Sequence, residues 1–131
     1  MGRSDKTVGQ RIRVLIVDEH AGVRRAIATF LGAVDDLELA GQAANGEEAV
    51  RLCAGCQPDV VLMDVTLPDM TGAAATRAIR QNWPSIQVIA MSTFQEEDQV
   101  AEVLLAGATS YLLKNVSAGE LASAIRAAHA A

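Results

Sequence analysis

The sequence predicts a single α/β domain, a (βα)5 doubly wound five-stranded parallel sheet in the order 2-1-3-4-5. Three observations carry this. The chain has 131 residues, half of them hydrophobic and 21% charged, which suits one globular domain with its own core. Five short apolar runs alternate with five segments of helical spacing, and such alternation implies parallel crossovers with helices on both sheet faces. At this length the order 2-1-3-4-5 is the leading doubly wound topology. Its ligand site lies outside the carboxyl ends of the strands, at the switch between the first and third.

Residues 1–10 read as a disordered arm and 11–131 as the folded domain. The run Ile12-Arg13-Val14-Leu15-Ile16-Val17 is β-branched and suits a buried parallel strand. Residues 21–33 place Val23, Ile27, Phe30 and Leu31 at helical spacing. Leu37 to Ala43 is a second, weaker strand. Asn45 followed by Glu48 is an N-cap signature and opens a helix to about Cys53. Asp59 to Met63, after Pro58, is the strongest strand. Gly72 to Trp83 reads as a helix stopped before Pro84. Ile86 to Met91 is a strand and Glu96 to Ala106 a helix, with Gly107 as its C-terminal cap. Tyr111-Leu112-Leu113 is the last strand. Ser117 and Glu120 form a capping box for a final helix to about His129.

Composition excludes several functions. Net charge is −5, and whole-surface nucleic-acid binding needs clustered Lys and Arg. The aromatic set is Phe30, Trp83, Phe94 and Tyr111, too sparse for base-stacking platforms. No apolar run approaches the roughly 18 residues of a membrane span. The polar first residues lack a signal-peptide core, so a cytoplasmic location is expected. Neither phosphate-loop glycine motif occurs. Cys53 and Cys56 form a CxxC at a helix end without a second ligand pair, so they read as core residues. Glu96-Glu97-Asp98 reads as a solvated helix start, and His20 as a capping or solvated side chain.

Chemistry is expected at the strand ends. The first strand ends in Asp18-Glu19, the third in Asp64 and the fourth in Ser92-Thr93, while Lys114 follows the fifth. Strands one and three are neighbours in the expected order, so three carboxylates should converge. Their repulsion raises at least one pKa, and a hard divalent cation such as Mg²⁺ relieves it. With the lysine and a hydroxyl opposite, these groups could bind a transferred phosphoryl group, with a carboxylate as nucleophile.

The stretches VLIVDEH, PDVVLMDVTLPDMTG, VIAMST and GATSYLLKN carry a resemblance. In this order and spacing they resemble the receiver domain of bacterial two-component response regulators, over residues 11–130. GQAANGEEAV and YLLK further resemble the NarL/FixJ (LuxR-type) branch. The resemblance implies a flavodoxin-like receiver fold with Asp64 as phosphoacceptor. It implies Mg²⁺ held by Asp18, Glu19, Asp64 and the backbone carbonyl of Thr66. It assigns Ser92 as the switch hydroxyl, the Thr93 backbone and Lys114 to the phosphoryl group, and Tyr111 as the aromatic that moves with the switch. A sensor histidine kinase is the implied phosphodonor, homodimerisation on phosphorylation is possible, and no enzyme activity is implied beyond the domain's own phosphorylation and dephosphorylation. Output to transcription would run through a DNA-binding domain that these residues do not contain.

Three positions depart from the family pattern, one being Asn115, which follows Lys114 where Pro or Asp is commoner. Glu19 stands where the second acid is usually Asp, and its extra methylene moves the carboxylate by roughly 1.5 Å. Phe94, near the expected path of the hydrolytic water, should slow dephosphorylation. Alternatives on the same fold are a pseudo-receiver that binds partners without phosphorylation, a flavodoxin-like electron carrier and an aspartyl phosphatase. Asp18-Glu19-His20 opposes the carrier, because these acids would repel a bound phosphate. Thr66 opposes the phosphatase, because it stands where a second acid is wanted.

Overall fold

The computed structural model describes residues 10–93 and 95–131. Residues 1–9 of the arm expected at 1–10, and the expected role of Phe94, lie outside the described residues. Ten elements follow in strict alternation: β1 (Ile12–Val17), α1 (Ala21–Gly32), β2 (Leu37–Ala43), α2 (Gly46–Cys56), β3 (Val60–Asp64), α3 (Gly72–Asn82), β4 (Gln87–Ser92), α4 (Glu97–Leu105), β5 (Ser110–Leu113) and α5 (Ala118–Ala130). The sheet is wholly parallel in the order β2-β1-β3-β4-β5, as the alternation predicts.

The pleat sorts each strand's residues between two cores. Val14, Ile16, Val60, Leu62, Ile89 and Met91 face Leu31 of α1 and Leu121 and Ile125 of α5. Leu15, Val17, Val61, Met63 and Val88 face Ala49 and Cys53 of α2 and Ala75 and Ile79 of α3. Val100 and Val103 of α4 close a third cluster against Ala73 and Ala90 on that second face. Each fully buried Leu, Ile or Val contributes about 1.5–3 kcal/mol before the opposing chain entropy. Alanine lets α2 and α3 sit close to the sheet, the packing use of the alanine-rich composition.

The helix ends match the local signals. The side chains of Asn45, Thr71 and Ser117 accept from the backbone N–H groups of Glu48, Ala74 and Glu120, and the box at Ser117 is reciprocated by the Glu120 carboxylate. Such caps contribute about 1 kcal/mol each. Gly107 has φ of 121°, a conformation few other residues adopt, so it stops the chain after α4. α2 runs three residues past the expected Cys53, to Cys56, and ends on Gln57 in the left-handed region. The left-handed position that ends it is Gln57 and not a glycine, so no cap signal marks the true end.

Register sets the working end of the sheet. Val17 pairs with Met63, so the next residues, Asp18 and Asp64, emerge side by side. Ser92 pairs with Leu113, which brings Lys114 to the same end.

Candidate functional site

Asp64 is the last residue of β3 and Asp18 directly follows β1; both are buried, Asp64 to 2% and Asp18 to 3% exposure. The Lys114 ammonium lies between them, 2.9 Å from Asp18 Oδ2 and 3.1 Å from Asp64 Oδ2. The Lys114 backbone N–H donates to the Ser92 carbonyl at 2.8 Å, so the end of β4 sets where the lysine starts.

These charges shift one another. Burial pushes the Asp64 carboxyl above its ordinary range, and the Asp18 charge adds to this, against the Thr66 N–H and Lys114. Burial acts the same way on Asp18, but the His20 N–H and Lys114 outweigh it and hold that carboxyl low. Burial opposes the Lys114 charge, yet the two aspartates overcome it and raise its pKa. The expectation that crowding raises at least one carboxyl is met at Asp64.

The convergence differs from expectation in its third member. Among the described residues, Asp18, His20 and Asp64 form the group whose potential ligand atoms lie within 4.8 Å of one another. Glu19 is not in it; its side chain is 43% exposed, with Oε2 4.0 Å from His20 Nε2. The cause is a local turn. Asp18 Oδ1 accepts from the His20 N–H at 2.8 Å and lies 3.0 Å from His20 Nδ1. That turn sets the imidazole beside Asp18 while the ring stays largely exposed at the N-cap position of α1, in line with the capping or solvated reading; Glu19 is also exposed and lies outside the cluster.

The other expected residues fall around this centre. Thr66 N–H donates to Asp64 Oδ1 at 3.2 Å, and Thr66 bridges to Thr71 across the β3–α3 loop. Ser92 is 1% exposed, and its hydroxyl has no hydrogen-bond partner among the described residues. A buried hydroxyl left without a partner costs about 1–3 kcal/mol, so it stands ready for an acceptor. Tyr111 is half-exposed on β5 and lines a hollow of about 390 Å³ with Ser92, Thr93, Val100 and Leu104.

Two further residues tie the loops of the site together. Asp69 of the β3–α3 loop accepts from the N–H groups of Gly46 and Glu47 at 2.8 and 2.9 Å, which fastens that loop to the start of α2. These amides hold the Asp69 carboxyl below its usual range. Glu96 Oε1 accepts from Thr93 N–H at 2.8 Å, and Oε2 accepts from the Thr66 hydroxyl at 3.0 Å. Burial opposes the Glu96 charge, but the Thr93 and Thr66 hydrogen bonds prevail and lower its pKa. The reading of Glu96 as a solvated helix-start acid is therefore corrected. Thr93 is three residues away, but Thr66 lies thirty residues away in the chain, which no local pattern reveals. Of the CxxC, Cys53 is in the core as expected, where burial pushes its thiol up to about 12, while Cys56 is only partly buried.

The donor set fits a divalent cation. Two buried carboxylates against one lysine leave net negative charge, and the raised Asp64 carboxyl marks where a cation would relieve it. Oxygen-rich sites of this kind suit Mg²⁺, and an imidazole beside them does not exclude it.

A parallel sheet with paired buried acids and a lysine at its switch point is a site that can take a divalent cation and a phosphoryl group. The chain belongs to the response regulator receiver domain family, whose description matches residues 14–126. It is 45% identical over 117 residues to the transcriptional regulatory protein LiaR of Bacillus subtilis, an alignment covering 89% of this chain and 56% of that protein. It is 40% identical over 115 residues to the response regulator VraR of Staphylococcus aureus, covering 88% of this chain and 55% of that protein. The chain thus spans about half the length of these relatives. The signal receiver domain of NarL from Mycobacterium tuberculosis superposes with a TM-score of 0.86 at 28% identity, over 92% of this chain and 97% of that one. The domain is therefore a receiver of two-component response regulators, close to transcriptional regulators of the NarL/LuxR type. Receivers of this family generally bind Mg²⁺ and work with a histidine kinase. Among the described residues, no helix is long and apolar enough to cross a membrane.

Proposed function

We propose that Asp64 accepts a phosphoryl group from the phosphohistidine of a sensor kinase and that the domain switches its output face in response. The observation that carries this is the convergence of buried Asp64 and Asp18 on Lys114 beside the unpartnered Ser92 hydroxyl.

A carboxylate oxygen of Asp64 attacks phosphorus. The new P–O bond forms as the P–N bond to the imidazole breaks, and that electron pair returns to the imidazole nitrogen. Asp18, Asp64 and the Thr66 carbonyl would hold Mg²⁺, with Glu19 or His20 available beside them. When bound, the cation supplies positive charge for the phosphoryl oxygens. Lys114 then exchanges its contact with Asp64 Oδ2 for a phosphoryl oxygen. Ser92 Oγ donates to another, satisfying the hydroxyl that lacks a partner, and the Thr93 N–H donates to a third. Drawing Ser92 inward leaves space next to Tyr111, which lines the same hollow, and repacks α4, β5 and α5. The domain is a switch and not an enzyme beyond this phosphoryl chemistry. It acts in the cytoplasm, contacts DNA only through a separate effector domain, and dimerises when phosphorylated.

The pseudo-receiver reading keeps one observation in its favour, the outward Glu19 carboxylate. Acetyl phosphate with Mg²⁺ and intact-mass measurement separates the two. One added phosphoryl group, absent in Asp64→Asn, is the expected result. No addition at any Mg²⁺ concentration refutes the phosphoacceptor and leaves the binding module.

A further inference from the structure

Glu96 immediately precedes α4, where an acidic side chain ordinarily turns back to accept from its own helix's first N–H groups. Here it makes no such bond. Its carboxylate instead takes the N–H of Thr93, three residues before it, and the hydroxyl of Thr66 from the β3–α3 loop. Thr93 is the residue after Ser92, and Thr66 lies two residues after Asp64. A carboxylate is thus seated on donors that flank the proposed phosphoacceptor.

A phosphoryl group on Asp64 would bring up to two negative charges and three acceptor oxygens into this space. It competes with Glu96 for the Thr93 N–H, and like charges brought this close repel. Both cannot hold that donor.

We infer that Glu96 is an internal competitor of the phosphoryl group: its carboxylate holds the Thr93 N–H and Thr66 hydroxyl while Asp64 is bare, and releases them when Asp64 is phosphorylated. Glu96 therefore sets how tightly the site takes phosphoryl oxygens. Because Glu96 is the residue that leads into α4, its release also transmits occupancy to that helix. This rests on Asp64 being the phosphoacceptor.

The experiment is a titration of the whole chain with beryllofluoride in saturating Mg²⁺, followed through the Thr93 amide resonance. Glu96→Gln keeps the shape and an acceptor oxygen but removes the charge, so a purely structural bridge would leave it like wild type. The inference expects Glu96→Gln to half-saturate at about five- to tenfold lower beryllofluoride, the scale of removing one nearby charge. It also expects the Thr93 amide to move upfield in the unliganded Gln variant. Glu102→Gln, an exposed α4 position with the same change in net charge, should half-saturate as wild type does. Equal half-saturation in wild type and Glu96→Gln overturns the inference, and so does an equal gain in Glu102→Gln. If wild type and Glu96→Gln both fail to take up beryllofluoride and acetyl phosphate, the phosphoacceptor reading itself has failed, and the inference falls with it.

Discussion

Gly72 should be the least replaceable glycine in the domain. It opens α3, and a Cβ placed on it would meet the Asp64 carbonyl oxygen at 2.4 Å and Val65 Cα at 2.8 Å. Real Cβ atoms essentially never come within 3.0 Å of such neighbours, so the backbone must open by at least about 0.6 Å. That backbone is the last residue of β3, held in the sheet by its pairing with Met91, and Gly72 N–H donates to the Val65 carbonyl at 3.0 Å. Overpacking against rigid structure costs about 1–3 kcal/mol, while alanine returns at most about 1 kcal/mol of helix propensity. Gly72→Ala should therefore lose about 1 kcal/mol net. With a typical urea slope of about 1–3 kcal/mol/M, the unfolding midpoint should fall by roughly 0.5 M. Gly46→Ala is the matched control. It too opens a helix, and its Cβ would lie 2.5 Å from Met70 Cγ, but a methionine side chain can rotate away. Its midpoint should stay close to wild type, and Met70→Ala should relieve whatever loss occurs. Urea unfolding of the variants decides the matter. A Gly72→Ala midpoint at or above that of Gly46→Ala would refute the reasoning from backbone contact.

Other consequences follow from the same geometry. Lys114→Met leaves two buried carboxylates facing each other and should cost about 3 kcal/mol at pH 7. With the ammonium gone, the folded state binds protons more readily than the unfolded chain, so the deficit should shrink between pH 7 and pH 5; urea midpoints at both values check this, and a deficit that grows on acidification would contradict it. Cys53, with its thiol pushed up to about 12, keeps its proton when the unfolded chain has lost it above the ordinary 9.0. Stability should therefore fall as pH rises from 9 toward 10, by at most about 1.4 kcal/mol per unit, and Cys53→Ala should flatten that slope. Asp69→Ala should speed amide hydrogen exchange at Gly46 and Glu47, which donate to that carboxylate, with Asp69→Asn intermediate. Unchanged exchange in the Ala variant would show that this tie does not hold the start of α2.

The elements were legible because their signals are local. Alternation between β-branched runs and helical spacing needs only neighbours along the chain, and so do the caps at Asn45 and Ser117. β1 and β2 fall on the expected residues, while β3 and β4 end one residue later than expected. That shift puts Asp64 and Ser92 inside the strands, where register and not exposure controls their direction. Asp18, Asp64 and Lys114 could be placed together from sequence because strand order and parallel register are regular: each follows or ends a strand, and the sheet brings those ends to one edge. Only the tertiary structure decided which neighbours complete the centre. Within one tripeptide, the Asp18–His20 turn exchanges Glu19 for His20. Across loops, Glu96 and Asp69 accept from donors thirty and twenty-three residues away in the chain. Composition assigns a carboxylate its charge, but its role depends on which N–H and O–H groups the fold brings within 3 Å, and those groups belong to segments with no common local pattern.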